Sequence, residues 1–231
     1  MIRNEAILEN VNNILDYDNV KDFLFMRVIN LNTNKELLEN VPHTIVGDLA
    51  ITYHVMIQTT SEKFCSAKIT NQLLNKYGIN VIKLHKDAEI SSPKMMIPEV
   101  VPIETLLLGV PEEIAYLDKN KQLIIVTNKH KTDGAASMFY PNILNDIAHK
   151  LDNDLYIIPS SIDEVLILSD SSELNYQHVK NTLDYVNKTI VDDEHKLSNE
   201  LYHYSKDEHL LEKVDDYEKR IHKNKYSQLL H

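Results

Sequence analysis

The chain has no tryptophan, a single cysteine and only 4 glycines, and each shortage removes a class of function. The glycines stand at 47, 78, 109 and 134, never clustered, so no glycine-rich loop is available to cradle phosphates. Cys65 alone cannot form an internal disulfide, which fits a reducing cytoplasm, and it cannot supply a Cys pair to a metal. No apolar run reaches the roughly 20 residues a helix needs to cross a bilayer. No basic leader with an apolar core and a small-residue cleavage site opens the chain. Basic residues are also short: 24 Lys and Arg against 35 Asp and Glu leave a net charge of −11. That surplus opposes non-specific contact with nucleic-acid phosphates and leaves a basic protein partner open.

Against those absences stand 231 residues, 43% hydrophobic and 26% charged, ordinary for a soluble globular protein and enough to bury a substantial core. The stretch from Lys121 to Asp170 organises the rest. Gln122 to Asn128 is rich in β-branched residues and ends polar, which predicts a buried strand. Asp133-Gly134 is a turn dipeptide, and Ala135 to Tyr140 reads as a return strand. Pro141 suits the first turn of a helix. Ile143, Leu144, Ile147, Ala148 and Leu151 fall on one face of that helix. Asp154 to Pro159 and Glu164 to Ser169 are two more strands, and Ser160 to Asp163 joins them as a tight turn held by side-chain to backbone hydrogen bonds.

Val126-Thr-Asn128, Gly134-Ala-Ala136 with Tyr140, and Pro159 to Glu164 resemble signature blocks of a bacterial family of unknown function, numbered five-six-eight-eight. Arg27 to Asn30, Asn34 to Leu38, Val41-Pro-His43 and Asp48-Leu-Ala50 stand upstream in the family's order. Val186-Asn187, Leu197-Ser198, Tyr202 and Tyr204 follow downstream, so the resemblance runs from about Val20 to Tyr204. Asp163 stands where the family more often shows a His. Members carry a longer N-terminal region, and the resemblance implies a form lacking it. It implies a fold and a bacterial source, with no activity attached.

Elsewhere, Asn4 to Leu15 reads as a short helix and Phe23 to Leu31 as a strand in which Arg27 needs an exposed face or a carboxylate. Asn32 to Asn34 can cap a helical turn through Leu38. Alternation from Leu49 to Ile57 predicts a strand, with Phe64 to Ile69 returning beside it. Thr70 or Asn71 caps a helix ending at Gly78, and Asn80 starts another to about Glu89. Ser91 to Lys121, with Pro93, Pro98, Pro102 and Pro111, is the least regular segment, a bridge that still allows a short helix over Ile103 to Leu108. Glu173 to Lys188 and Leu210 to Leu230 read as helices, the latter loosely docked.

These elements predict an α+β fold: a mostly antiparallel sheet built from hairpins, with helices largely on one face. Ribbons from residues 1–90 and 122–204 are expected to join in one sheet around one core, with 91–121 as the bridge and 205–231 as a charged C-terminal helix. Hairpin followed by helix occurs in both halves, which admits a pseudo-repeat.

For chemistry, the 11 histidines include no pair at i, i+3 or i, i+4 spacing, so no metal is expected; Asp192 to His195 reads as a solvated acidic loop. His43, Asp48, Ser160, Ser161 and Glu164 are the candidate catalytic groups, although a hydroxyl needs a positioned base. Asn128, Lys129, Lys131 and Gly134 could hold a small anion. No cofactor is indicated. The leading expectation is a cytoplasmic, non-enzymatic protein-binding module. One alternative is an enzyme, such as a hydrolase, using the Pro159–Glu164 turn with Asn128 and His43. The other is an acidic inhibitor, carried on a phage or mobile element, that occupies the nucleic-acid-binding surface of a host defence protein.

Overall fold

The alternation from Leu49 to Ile57 builds the longest strand among the described residues, and the first of two sheets forms around it. The computed structural model describes residues 5–6, 14–59, 64–116, 122–159, 161–171, 179–181, 183–185, 192 and 194–229. In the first sheet, β4 (Leu49–Thr59) pairs antiparallel with β1 (Glu5–Ala6), β2 (Leu24–Asn30), β3 (His43–Val46) and β5 (Phe64–Lys68). The second sheet has the order β11-β10-β8-β9-β7-β6. Its strands are β6 (Pro98–Pro102), β7 (Leu123–Asn128), β8 (Leu155–Ile158), β9 (Val165–Ser169), β10 (Tyr202–Ser205) and β11 (Leu210–Lys213), antiparallel at every pairing. The fold is α+β with antiparallel sheets.

The sheets remain separate instead of joining into one. They share a core: Met26, Ile51 and Tyr53 of the first belong to the same buried cluster as Ile124, Val126, Ile157 and Tyr202 of the second. Ala135, Ala136, Leu144 and Ile147 complete that cluster. Each fully buried large side chain is worth about 1.5–3 kcal/mol relative to exposure. A smaller cluster, Ile158, Val179, Leu183, Leu201 and Val214, covers the other face of the second sheet.

Several elements follow the pattern closely. Thr70 caps the Asn71–Tyr77 helix by accepting the Leu73 N–H, and Gly78 closes it at φ +66°. Asn80 caps the next helix through the Lys83 N–H. That helix continues past Glu89 to Met95, with Pro93 inside it. Proline there removes one N–H near the C-terminal end, and the Ser92 carbonyl still takes the Met96 N–H at 2.7 Å. The bridge is also more regular than expected, because Pro98–Pro102 forms an edge strand on β7, where missing donors cost least.

Four other expectations are corrected. Ala135 to Tyr140 is no strand: Gly134–Phe139 is a 3-10 helix whose residues 134–138 are all buried. Small side chains let that turn pack on the end of β7, and β7 pairs with β6 and β9 instead. The second half therefore lacks the hairpin that a pseudo-repeat requires. Pro141 lies outside the first helical turn, since the helix spans Ile143–Leu151. Glu5–Ala6 is a strand within the segment expected as a helix, whose residues 7–13 lie outside the described ones. Leu210–Lys213 forms strand β11 before the final helix, Val214–Leu229. Val186, Asn187 and most of the Glu173 to Lys188 segment fall outside the described residues, while 179–181 and 183–185 are helical. Among the described residues no helix is long and apolar enough to cross a membrane.

Candidate functional site

The turn between β8 and β9 is the point from which most of the singled-out residues can be reached. Proline at 159 has no N–H to continue the pairing, and its carbonyl accepts the Ser198 N–H at 2.9 Å. Ser161 Oγ accepts the Asp163 N–H at 3.1 Å, the expected side-chain-closed turn. The Ile162 N–H donates to the His195 carbonyl, and the Ile162 carbonyl accepts the Ala135 N–H. Thr127 Oγ1 donates to the Asp163 carbonyl at 2.7 Å. The turn is thus tied to β7, to the 3-10 helix and to residues 195–198.

A row of charged groups crosses this turn, with two carboxylates between an arginine and a histidine. Arg27 Nε lies 3.0 Å from Asp133 Oδ2, which supplies the carboxylate that a strand arginine needs. Its guanidinium also lies over the Phe25 and Phe64 rings. Asp163 Oδ1 accepts the Asp133 N–H at 2.9 Å, and Asp163 Oδ2 sits 2.7 Å from His195 Nδ1. Burial pushes the Asp133 carboxyl up, with Arg27 opposing. The hydrogen bond that its ring N–H donates to Asp163, and then the charge of that carboxylate, push His195 up. His195 is thereby oriented with a proton to hold, but among the described residues no hydroxyl or thiol is hydrogen-bonded to it.

The other end of the 195–198 segment meets the first sheet. Asp48 Oδ1 accepts from the Tyr202 hydroxyl at 2.7 Å, and Ser198 Oγ lies 3.0 and 2.9 Å from the two carboxylate oxygens. Asn30 Nδ2 reaches Asp48 Oδ2 at 3.2 Å and the Leu197 carbonyl at 2.9 Å. The Asp48 N–H donates back to Tyr202 Oη at 3.0 Å. Gly47, at φ +60°, lies against the tyrosine, where a Cβ would overlap the hydroxyl. Residues of β2, of the β3–β4 turn and of β10 are so drawn into one latch between the sheets. A cleft of about 370 Å³ opens beside it, with Asn32, Thr33, Lys196 and Glu200 on its walls.

The remaining candidates are dispersed. His43 Nδ1 lies 3.0 Å from the Val41 carbonyl, and the residue lines a different cavity, with Leu38 and Asn71. Glu164 is exposed at the start of β9, and Ser160 lies outside the described residues. Asn128 turns inward: its Nδ2 donates to the Thr132 carbonyl and its Oδ1 accepts the His130 N–H. Lys131 is paired with Glu99, whereas Lys129 is exposed. A Cβ on Gly134 would overlap Thr127 Oγ1 and the Asp163 carbonyl, so this glycine serves close packing. Asp192 and Glu194 are exposed, and among the described residues no group of three His, Cys, Asp or Glu side chains could hold a metal.

Sequence reasoning missed the partnership of Asp48 with Ser198 and Tyr202, and that of Asp163 with His195. Separations of 150 and 32 residues leave no local periodicity to find. The only available signal was that Asn30, Asp48, Leu197-Ser198 and Tyr202 all stand in the signature blocks.

Fold and site define an α+β protein whose motif residues lock two antiparallel sheets together and whose polar groups are largely spent on one another. The chain belongs to the family of unknown function DUF5688, whose model matches residues 1–206. No curated protein and no solved structure matches it.

Proposed function

We propose that this is a cytoplasmic, non-enzymatic binding protein whose partner is a basic protein surface with an apolar depression. The observation that carries this reading is on the bridge. Pro102 and Pro111 confine the chain there to two short helices, Ile103–Leu108 and Glu112–Ala115. A single turn can bury only one side, and three successive leucines, Leu106, Leu107 and Leu108, remain 51%, 70% and 75% exposed, with Ile114 at 56%. Contiguous exposed apolar groups are a mark of interaction surfaces. Glu112 and Glu113 open the second of these helices, with Glu112 3.8 Å from Lys150, and the chain carries a net charge of −11. An exposed apolar centre on an acidic chain fits a partner with lysines and arginines around a leucine-accepting pocket.

The saturation of Asp48, Asn30 and Asn128 by protein partners supports binding over catalysis, and His43 lies apart from the Pro159–Glu164 turn. The lone Cys65 supports a reducing compartment. The test is capture from a host lysate by the wild-type chain and by Leu107→Glu/Leu108→Glu in parallel, followed by rebinding of each captured protein in purified form. The reading expects one partner that rebinds wild type, is lost with the variant and weakens with salt. A partner that binds both chains equally, or an apolar patch covered by a second copy in solution, overturns it.

A further inference from the structure

The 3-10 helix ends at Phe139, and the three residues after it, Tyr140 to Asn142, turn sharply into the next helix. Asn142 makes that turn at φ +67° and occupies the N-cap of the Ile143–Leu151 helix without a side-chain capping bond. An asparagine at this position ordinarily spends its oxygen on a helical N–H; this one is left for other partners. One turn further on, Asn145 Oδ1 is buried and has no hydrogen-bond partner among the described residues. Across from them, His209 holds φ +52° in the β10–β11 turn, with Nδ1 3.3 Å from Tyr204 Oη.

These groups meet around one cavity of about 370 Å³, lined by Tyr140, Asn142, Asn145, Tyr204 and His209, with Met138 and Leu144 as its apolar floor. That volume lies at the small end of ligand sites, about 300–1,000 Å³. The polar groups on the wall are two carboxamides, two phenols and an imidazole, with no carboxylate among them. Burial pushes both phenols up, so they keep their protons and donate. The tyrosines are only 4% and 6% exposed, so neither presents an open ring face on which a planar base would stack. No lysine or arginine lines the cavity to hold a phosphate or carboxylate.

We propose that this cavity binds a neutral polyhydroxylated ligand the size of a monosaccharide. The Asn142 carboxamide offers a donor and an acceptor for adjacent hydroxyls and Asn145 adds its amide N–H groups, while Met138 and Leu144 meet the C–H face. The site is independent of the leucine surface, and substitutions there leave it unchanged.

Saturation-transfer NMR and calorimetry on the full chain, with glucose, galactose, N-acetylglucosamine and myo-inositol as probes, test this directly. Adenosine and inorganic phosphate serve as comparators. At least one of the four polyols binds wild type, and the affinity falls roughly tenfold in Asn145→Ala, the scale of one or two lost hydrogen bonds. Asn142→Gly, which keeps the positive φ while deleting the amide, gives a similar fall, as does His209→Asn in an exposed turn. The inference is overturned if none of the four binds, if adenosine or phosphate binds in their place, or if the variants bind as wild type does.

Discussion

Acidification from pH 7 to pH 5 should destabilise this protein through one residue, His54. It lies on β4 between Phe25 and Lys68 and is 3% exposed. Its Nε2 has only a long contact, 3.4 Å, to Thr52 Oγ1. Burial, then the charges of Arg27 and Lys68, push its pKa down from 6.5 to about 3. The folded value is below the unfolded one, so between those two pH values the unfolded chain binds a proton that the folded chain refuses. Stability from neutral His54 is therefore complete above about pH 6.5 and declines as the pH falls through the window toward 3. At pH 5 the unfolded imidazole is about 1.5 units below its own pKa, and at about 1.4 kcal/mol per unit the loss is about 2 kcal/mol. That figure holds for any folded value well below 5. Urea unfolding of wild type and of His54→Phe at both pH values isolates it, because carboxylate titration is common to both chains and cancels. The wild type should lose about 2 kcal/mol more than the variant between pH 7 and pH 5. Equal losses in the two chains would show that His54 does not stay neutral in the fold.

Two substitutions probe the junction between the sheets. Asp48→Ala strips the shared acceptor from Tyr202, Ser198 and Asn30 and should cost about 2–4 kcal/mol in urea unfolding; a cost below about 1 kcal/mol would mean that the latch is not stabilising. Gly134→Ala forces a methyl group into Thr127 and the Asp163 carbonyl, both of which are fixed. It should cost at least about 2 kcal/mol, and a thermal midpoint equal to wild type would refute the packing described.

How far the sequence reached depends on the range of the contact concerned. Alternation along Leu49 to Ile57 and capping at Thr70 and Asn80 are local signals, and they placed the starts of those elements to within a residue, although the Asn80-capped helix runs about six residues past its expected end. The 134–139 segment escaped because its conformation is imposed from outside: Arg27 holds Asp133 and Asp163 takes its N–H. Small residues then allow burial on every side, which removes the alternation a strand would show. Strand β10 escaped for a related reason. Tyr202, His203, Tyr204 and Ser205 are all buried, so neither face reads as polar. Asp48 was legible as a polar residue worth attention, but not as the acceptor of a tyrosine and a serine brought in from beyond residue 197. The exposed leucines of the bridge were legible as a short apolar helix, and only the folded chain shows which of its sides is left uncovered.

On the proposed function labour is divided: the motif residues hold the sheets, and the leucines of the bridge are to meet the partner. Calorimetric affinity for the purified partner, measured beside urea midpoints for Ser198→Ala and Leu107→Glu/Leu108→Glu, tests this most directly. Ser198→Ala should unfold at lower urea and bind as wild type does. The leucine variant should keep the wild-type midpoint and bind at least about 30-fold more weakly, as expected on losing an interface hot spot. The reverse pattern, with affinity lost in Ser198→Ala and kept in the leucine variant, would contradict it.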